Sequence, residues 1–248
     1  MTHLRRFARM LRMRLMRGTS LDQLIPPEIR NDALYRAIVR VAATPGVRHM
    51  LEIGSSAGQG STEAFIEGAL LNSGRPTLHC IEISDVRYEA LRQRHASRPF
   101  VRCYRASSVG PHQFAAPQDV AAFYKAVPST LNEYSLETVL GWLEQDVRYM
   151  TEHDVATNGI QQIKEANDVT YFDVVLIDGS EFTGRAELDE IYGARYIVLD
   201  DIGTFKNHHN FARLSDDRAY RLLESSANLR NGYAVFERGG SSSSNELG

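Results

Sequence analysis

The feature that most constrains this chain is a rhythm. Short apolar, β-forming runs recur at 49–54 (HMLEIG), 77–84 (TLHCIEIS), 100–106 (FVRCYRA), 171–179 (YFDVVLIDG) and 195–201 (RYIVLDD). Helical patterns lie between the first three, around 60–71 and 85–95. Strands alternating with helices imply βαβ units, hence a doubly wound, mostly parallel α/β sheet covered on both faces. A further run, YAVFER (233–238), follows an Asn231-Gly232 turn, and YRLLES is a weaker seventh candidate. The polar residues cluster where the runs end: Glu52 to Gly60, Glu82, Ser107 and Ser108, Asp178, Asp200 and Asp201. Open α/β sheets bind ligands at the carboxyl ends of their strands. The pattern therefore predicts one site built from these residues.

At 248 residues the chain suits one large α/β domain with an insertion. We expect a basic helix and lead-in over 1–45, the main domain over 46–238, and a flexible Gly/Ser tail over 239–248. Residues 111–168 exceed what a crossover needs. There SLETVLGWLEQDVRYM places Leu136, Val139, Leu140, Leu143, Val147 and Met150 on one helical face, and a second helix is expected near 118–126. This insertion carries Tyr124, Tyr134 and Trp142. It reads as an acceptor wall, a contact between copies of the chain, or simple packing.

A net charge of −3 argues against general nucleic-acid binding through a basic surface. Cys80 and Cys103 are the only two cysteines, too few for a disulfide framework, which points to a cytoplasmic protein. The opening MTHLRRFARMLRMRLMRG carries six arginines and no acid. As an amphipathic helix it suits an anionic membrane surface, a partner, a transit peptide or its own domain, and periodicity does not choose among these.

The loop LEIGSSAGQGST (51–62) admits three chemistries. Gly54-Ser55-Ser56-Ala57-Gly58 matches the G-x-S-x-G elbow of a serine hydrolase, with Ser56, Asp178 or Asp200, and His208 or His209 in the required order. Only one β-like run precedes Ser56, which leaves no earlier strand for an oxyanion loop. A dinucleotide fingerprint fails because Ser56 stands where its second glycine must be. An S-adenosylmethionine loop needs glycines at the turn without that spacing. Gly54 and Gly58 supply close backbone approach, Glu82 accepts from ribose hydroxyls, and Ser107 lies where an adenine edge would sit.

LEIGSSAGQGST, CIEIS, RASSVG and VLIDGSEF fall in the order and spacing of class I S-adenosylmethionine-dependent methyltransferases, which the chain resembles over about 45–110 and 170–238. The resemblance implies a seven-stranded Rossmann-like sheet with its last strand reversed. It also implies a cofactor site at Glu52, Gly54, Ser55, Gly58, Ser61, Glu82, Ser107 and Asp178.

Asp178, Asp200 and Asp201 at neighbouring strand ends form a hard-oxygen set suited to Mg²⁺. Unpaired they would repel, so a cation or a nearby Lys or Arg is required. Asp200 and Asp201 converge only if the strand has already bent, because adjacent strand residues face opposite ways. The set looks like that of the metal-dependent O-methyltransferases acting on catechols, phenylpropanoid esters and antibiotic sugars. Alternatives are Asp178 as a helix cap, and Asp200-Asp201 as a strand end paired with Arg185 or Lys206. Catechol-type enzymes carry a lysine where this chain has Glu181, and sugar-type enzymes an aspartate where it has Ser180. Glu181 is the first candidate base, with Lys206, His208 and His209 behind it.

The expected function is Mg²⁺-assisted transfer of a methyl group from S-adenosylmethionine to a hydroxyl of a sugar or small natural product. The expected partners are that acceptor and a second copy of the chain. Rival readings are a metal-independent methyltransferase and a non-catalytic protein that binds the cofactor.

Overall fold

A computed structural model of the chain describes residues 21–239. The Arg-rich segment and all but the first residue of the tail lie outside the described residues. Seven strands form one sheet: β1 (His49–Ile53), β2 (Thr77–Glu82), β3 (Val101–Arg105), β4 (Val174–Ile177), β5 (Tyr196–Asp200), β6 (Tyr220–Ser226) and β7 (Tyr233–Arg238). Their order is β3-β2-β1-β4-β5-β7-β6. The first five run parallel, and β7 is antiparallel to both of its neighbours. The weak run YRLLES is a genuine strand. Its signal is faint because β6 is an edge strand with Leu222 and Leu223 exposed and a bulge between Leu222 and Glu224.

Alternate residues of the strands feed two cores, so the strands read as continuous apolar runs. Met50, Leu78, Cys80, Val174, Leu176 and Val198 pack with α1 (Ala33–Ala42), α2 (Ser61–Leu71) and Leu91 of α3 (Asp85–Arg94). Leu51, Ile53, Ile81, Val175, Ile177 and Leu199 pack on the other face. There they meet α6 (Gly159–Asn167), α7 (Gly184–Ile191) and α8 (His208–Asp216).

Between β3 and β4 the chain adds α4 (Pro117–Ala126) and α5 (Leu136–Glu152). Val120, Phe123, Val139 and Leu143 of this pair pack on Phe182 and Phe205, in the loops after β4 and β5. The cap is thereby anchored to the strand ends. The crossover itself is α6, whose Ile160 and Ile163 pack on the sheet, so the chain beyond a plain βαβ unit stops short of 159. Residues 21–32 are tied to the same edge: Asp22 accepts from Ser84 Oγ (2.9 Å) and Tyr149 Oη (2.5 Å). Among the described residues no helix is long and apolar enough to cross a membrane.

Candidate active site

Register sets the strand ends level. Ile53 is paired with Ile81 on one side and Ile177 on the other, and Ile177 with Leu199. The loops after β1, β2, β4 and β5 therefore emerge side by side.

On leaving β1, the N–H groups of Gly54 and Ser55 both donate to the Ile81 carbonyl (3.1 and 3.0 Å). Gly54 has φ +87°, and a Cβ there would lie 2.2 Å from the Asp178 carbonyl oxygen. Only glycine lets the loops after β1 and β4 touch. Glu52 lies beneath, fully buried, with Oε2 accepting from Thr62 Oγ1 at 2.7 Å. Ser61, the first residue of α2, also hydrogen-bonds Glu52, and Ser55 Oγ donates to its backbone carbonyl at 3.4 Å. Glu52 Oε1 has no partner among the described residues, and burial pushes the carboxyl up to about 7. Glu82, at the end of β2 and 4% exposed, accepts from Ser84 N at 2.8 Å and from the backbone N–H groups of Ser56 and Ile83. Ser107 Oγ donates to the Val109 carbonyl (2.8 Å), leaving its lone pairs to accept. A buried orphan carboxylate oxygen, a second buried carboxylate held by loop amides and a loop that admits no Cβ fit an adenosyl cofactor with an amino group and ribose hydroxyls. Ser56 has φ +47°, as an elbow would require, but no hydrogen bond joins it to a histidine among the described residues.

The second half of the site is acidic. One oxygen from each of Asp178, Asp200 and Asp201 lies within 4.8 Å of the others, so the three converge as the sequence predicts. The bend that convergence demands is present: Asp200 ends β5 and Asp201 has φ +59°. The cations that neutralise the cluster come from the chain itself. Lys206 Nζ donates to Asp178 Oδ1 at 2.8 Å and Asp201 Oδ2 at 2.9 Å. Arg230 donates to Asp200 Oδ1 at 3.0 Å and to Asp32 Oδ2 at 2.5 Å. Asn231 Nδ2 donates to the remaining Asp201 oxygen at 2.9 Å. Burial alone would pull the lysine down, but Asp178, Asp201 and Glu181 outweigh it and hold Lys206 well above its ordinary value. Burial likewise raises Asp201, yet Lys206 and Asn231 prevail and keep it below the usual carboxylate range.

In this arrangement the cation seated between Asp178 and Asp201 is the lysine. An ion bridging Asp178 and Asp201 needs Mg–O distances of about 2.1 Å, and Lys206 Nζ already touches both oxygens. The pairing with Lys206 foreseen for the strand-end acids is the one the structure holds; Arg230, rather than Arg185, completes it.

Glu181 stands beside the lysine: Oε1 accepts from Lys206 N at 3.0 Å, Thr204 also donates to the carboxylate, and burial pushes it up to about 7. His208 opens α8 with its ring against Phe123 of the cap (5.4 Å between centroids), and among the described residues no hydrogen bond or ion pair ties it to the acid–lysine cluster. Ser180 carries an acid after all, supplied by another element. Its hydroxyl donates to Asp146 Oδ2 of α5 at 2.6 Å, and burial pushes Asp146 up to about 6. Sequence reasoning missed Asp146, Arg230 and Glu187, the last buried and accepting from Ser108 (2.6 Å) and Thr183 (2.7 Å). None lies in a motif, and only the fold brings them to the strand ends. A cavity of about 420 Å³ adjoins the site, lined by Phe114, Asp119, Phe182, Arg185, Asp189 and Phe205 among others. The cap aromatics largely serve one another: Tyr134 meets Trp142 edge to face at 4.7 Å, and Tyr124 Oη donates to the Tyr134 carbonyl.

Strand order, the reversed β7 and the level loops define the fold of the class I S-adenosylmethionine-dependent methyltransferases. Solved structures bear this out at low identity. An O-methyltransferase from Bacillus cereus in complex with S-adenosylhomocysteine is 13% identical, with 86% of this chain and 84% of that one covered at a TM-score of 0.52. TomG from Streptomyces achromogenes, an O-methyltransferase involved in tomaymycin synthesis and solved with S-adenosylmethionine, is 13% identical over 87% and 84% at 0.52. The cofactor-bound protein Rv0187 from MTB is 14% identical over 88% and 85% at 0.51. No family model and no curated protein sequence matches the chain.

Proposed function

We propose that this protein is an S-adenosylmethionine-dependent O-methyltransferase acting on a hydroxyl group of a sugar or small natural product. The observation that carries the reading is the pair of buried carboxylates, Glu52 and Glu82, flanking a loop whose Gly54 admits no Cβ. Buried charges persist where something compensates them. A ligand that brings an ammonium and two ribose hydroxyls would do so here. S-adenosylmethionine supplies a sulfonium methyl, whose S–C bond breaks as the bond to the acceptor oxygen forms and the hydroxyl proton leaves to a base.

The base is assigned to Glu181, which lies next to Lys206 and, pushed up to about 7, is matched to proton abstraction near neutrality. Lys206 and Glu181 together suit a hydroxyl, which must lose a proton as it becomes nucleophilic. The wall formed by α4, α5 and Phe182 is where an acceptor ring would rest. TomG, an O-methyltransferase involved in tomaymycin synthesis, is in keeping with that acceptor class.

Calorimetric titration of the full chain with S-adenosylhomocysteine tests the reading. Micromolar binding is expected, and Glu82→Ala should weaken it about 100-fold, roughly 3 kcal/mol for two charge-assisted hydrogen bonds. Equal affinity in wild type and variant, or no binding by either, would overturn it. A binding-competent protein is then screened for radiolabelled methyl transfer to hydroxylated acceptors.

A further inference from the structure

Among the described residues Lys206 is the one side chain that touches two carboxylates of the acidic cluster, and it is held at both ends. Its ammonium bridges Asp178 and Asp201, its backbone N–H donates to Glu181, and its side chain is only 7% exposed. Gly184 at the start of α7 permits this seat, because a Cβ there would lie 2.0 Å from the Lys206 carbonyl oxygen. The third carboxylate, Asp200, is already paired with Arg230, whose side chain is 12% exposed. An ammonium has three N–H donors, and two are engaged here.

We propose that Lys206 is the resident cation of this site, so that methyl transfer to the acceptor hydroxyl proceeds without a divalent metal ion. The inference rests on the proposed methyl transfer. The third N–H of Lys206 donates to the acceptor oxygen and stabilises the negative charge that grows there as the proton passes to Glu181. A preorganised, desolvated ammonium is well suited to this, since it needs no reorganisation when charge develops. A lysine so placed cannot serve as the base, because two carboxylates keep its proton. A Mg²⁺ ion bridging Asp178 Oδ1 and Asp201 Oδ2 would have to expel it from both of them.

The test uses Mn²⁺ as the probe, followed by its electron paramagnetic resonance signal, with the full chain loaded with S-adenosylhomocysteine. Wild type should leave Mn²⁺ free up to about 1 mM, while Lys206→Ala, which vacates the seat among three carboxylates, should bind it at least about tenfold more tightly. Turnover of wild type should survive exhaustive chelation within about twofold, and Lys206→Ala should lower kcat by about 10²–10³. Micromolar Mn²⁺ binding by wild type, displaced by Mg²⁺, or loss of its turnover in chelator would overturn the proposal. The wild-type arms decide it even if the variant does not fold. Failure to bind S-adenosylhomocysteine is a separate result that would overturn the methyltransferase reading instead.

Discussion

At the scale of residues, the site turns on how buried charges are divided among partners. Asp178 and Asp201 share Lys206, Asp200 and Asp32 share Arg230, and Glu181 accepts hydrogen bonds from Thr204 and the Lys206 backbone while feeling the Lys206 charge without an ion pair to it. Burial, reinforced by Asp201, outweighs the Lys206 charge that opposes it and carries the Glu181 carboxyl to about 7. Only its carboxylate form accepts a proton, so kcat should climb with pH below about 7 and level off above it. Glu181→Gln keeps an acceptor for the Lys206 N–H while removing the base. We expect kcat to drop by about 10²–10⁴ and the pH dependence to flatten. A variant that retains the wild-type profile would move the base elsewhere, Asp146 being the next carboxyl in line. The glycines and aspartates of this site were legible in the sequence because they sit at strand ends. Asp146 and Arg230 were not, since nothing in helix α5 or the turn before Gly232 marks them.

At the scale of elements, the cap is joined to the sheet through few aromatic rings. Phe123 of α4 meets Phe205 at 5.4 Å edge to face, and Phe182 completes the contact. Phe123→Ala should remove about 3–5 kcal/mol from that junction. Amides of α4 and α5 should then exchange with solvent much faster, while those of β1, β4 and β5 keep their protection. Uniform acceleration through the sheet would show instead that cap and sheet unfold as one unit. Both helices were legible from their 3.6-residue periodicity. Their seat on Phe182 and Phe205 was not, because periodicity identifies an apolar face without its partner.

For the whole molecule, stability depends on how many buried groups change charge on folding. Glu52 is raised from 4.5 to about 7, so the folded state binds more protons than the unfolded chain across that window. Its contribution is present below pH 4.5 and is lost as pH rises through about 7. His79, lowered by burial from 6.5 to about 4, acts oppositely: its contribution is present above 6.5 and is lost as pH falls toward 4. Glu52→Gln isolates the first effect. Relative to wild type without cofactor, the variant should gain on the order of 3 kcal/mol between pH 4 and pH 8. Thermal melts of both proteins across that range measure it, and parallel curves would show that Glu52 is not titrating in the fold.

The sequence by itself determined the layered α/β architecture, six of the seven strands, the Gly-rich turn after the first strand and the convergence of Asp178, Asp200 and Asp201. All of these follow from local periodicity and from the rule that such sheets present their strand ends to ligands. It also required that the three acids meet a cation, since like charges at that spacing cannot stand alone. Which cation was a matter for the tertiary structure. Lys206 follows Asp201 by five residues and Arg230 by twenty-nine, and only the turn at Asp201, the packing of α7 through Gly184 and the return of β7 beside β5 bring both ammonium and guanidinium onto the cluster. Sequence spacing cannot encode such contacts, because each depends on where three separate elements stop.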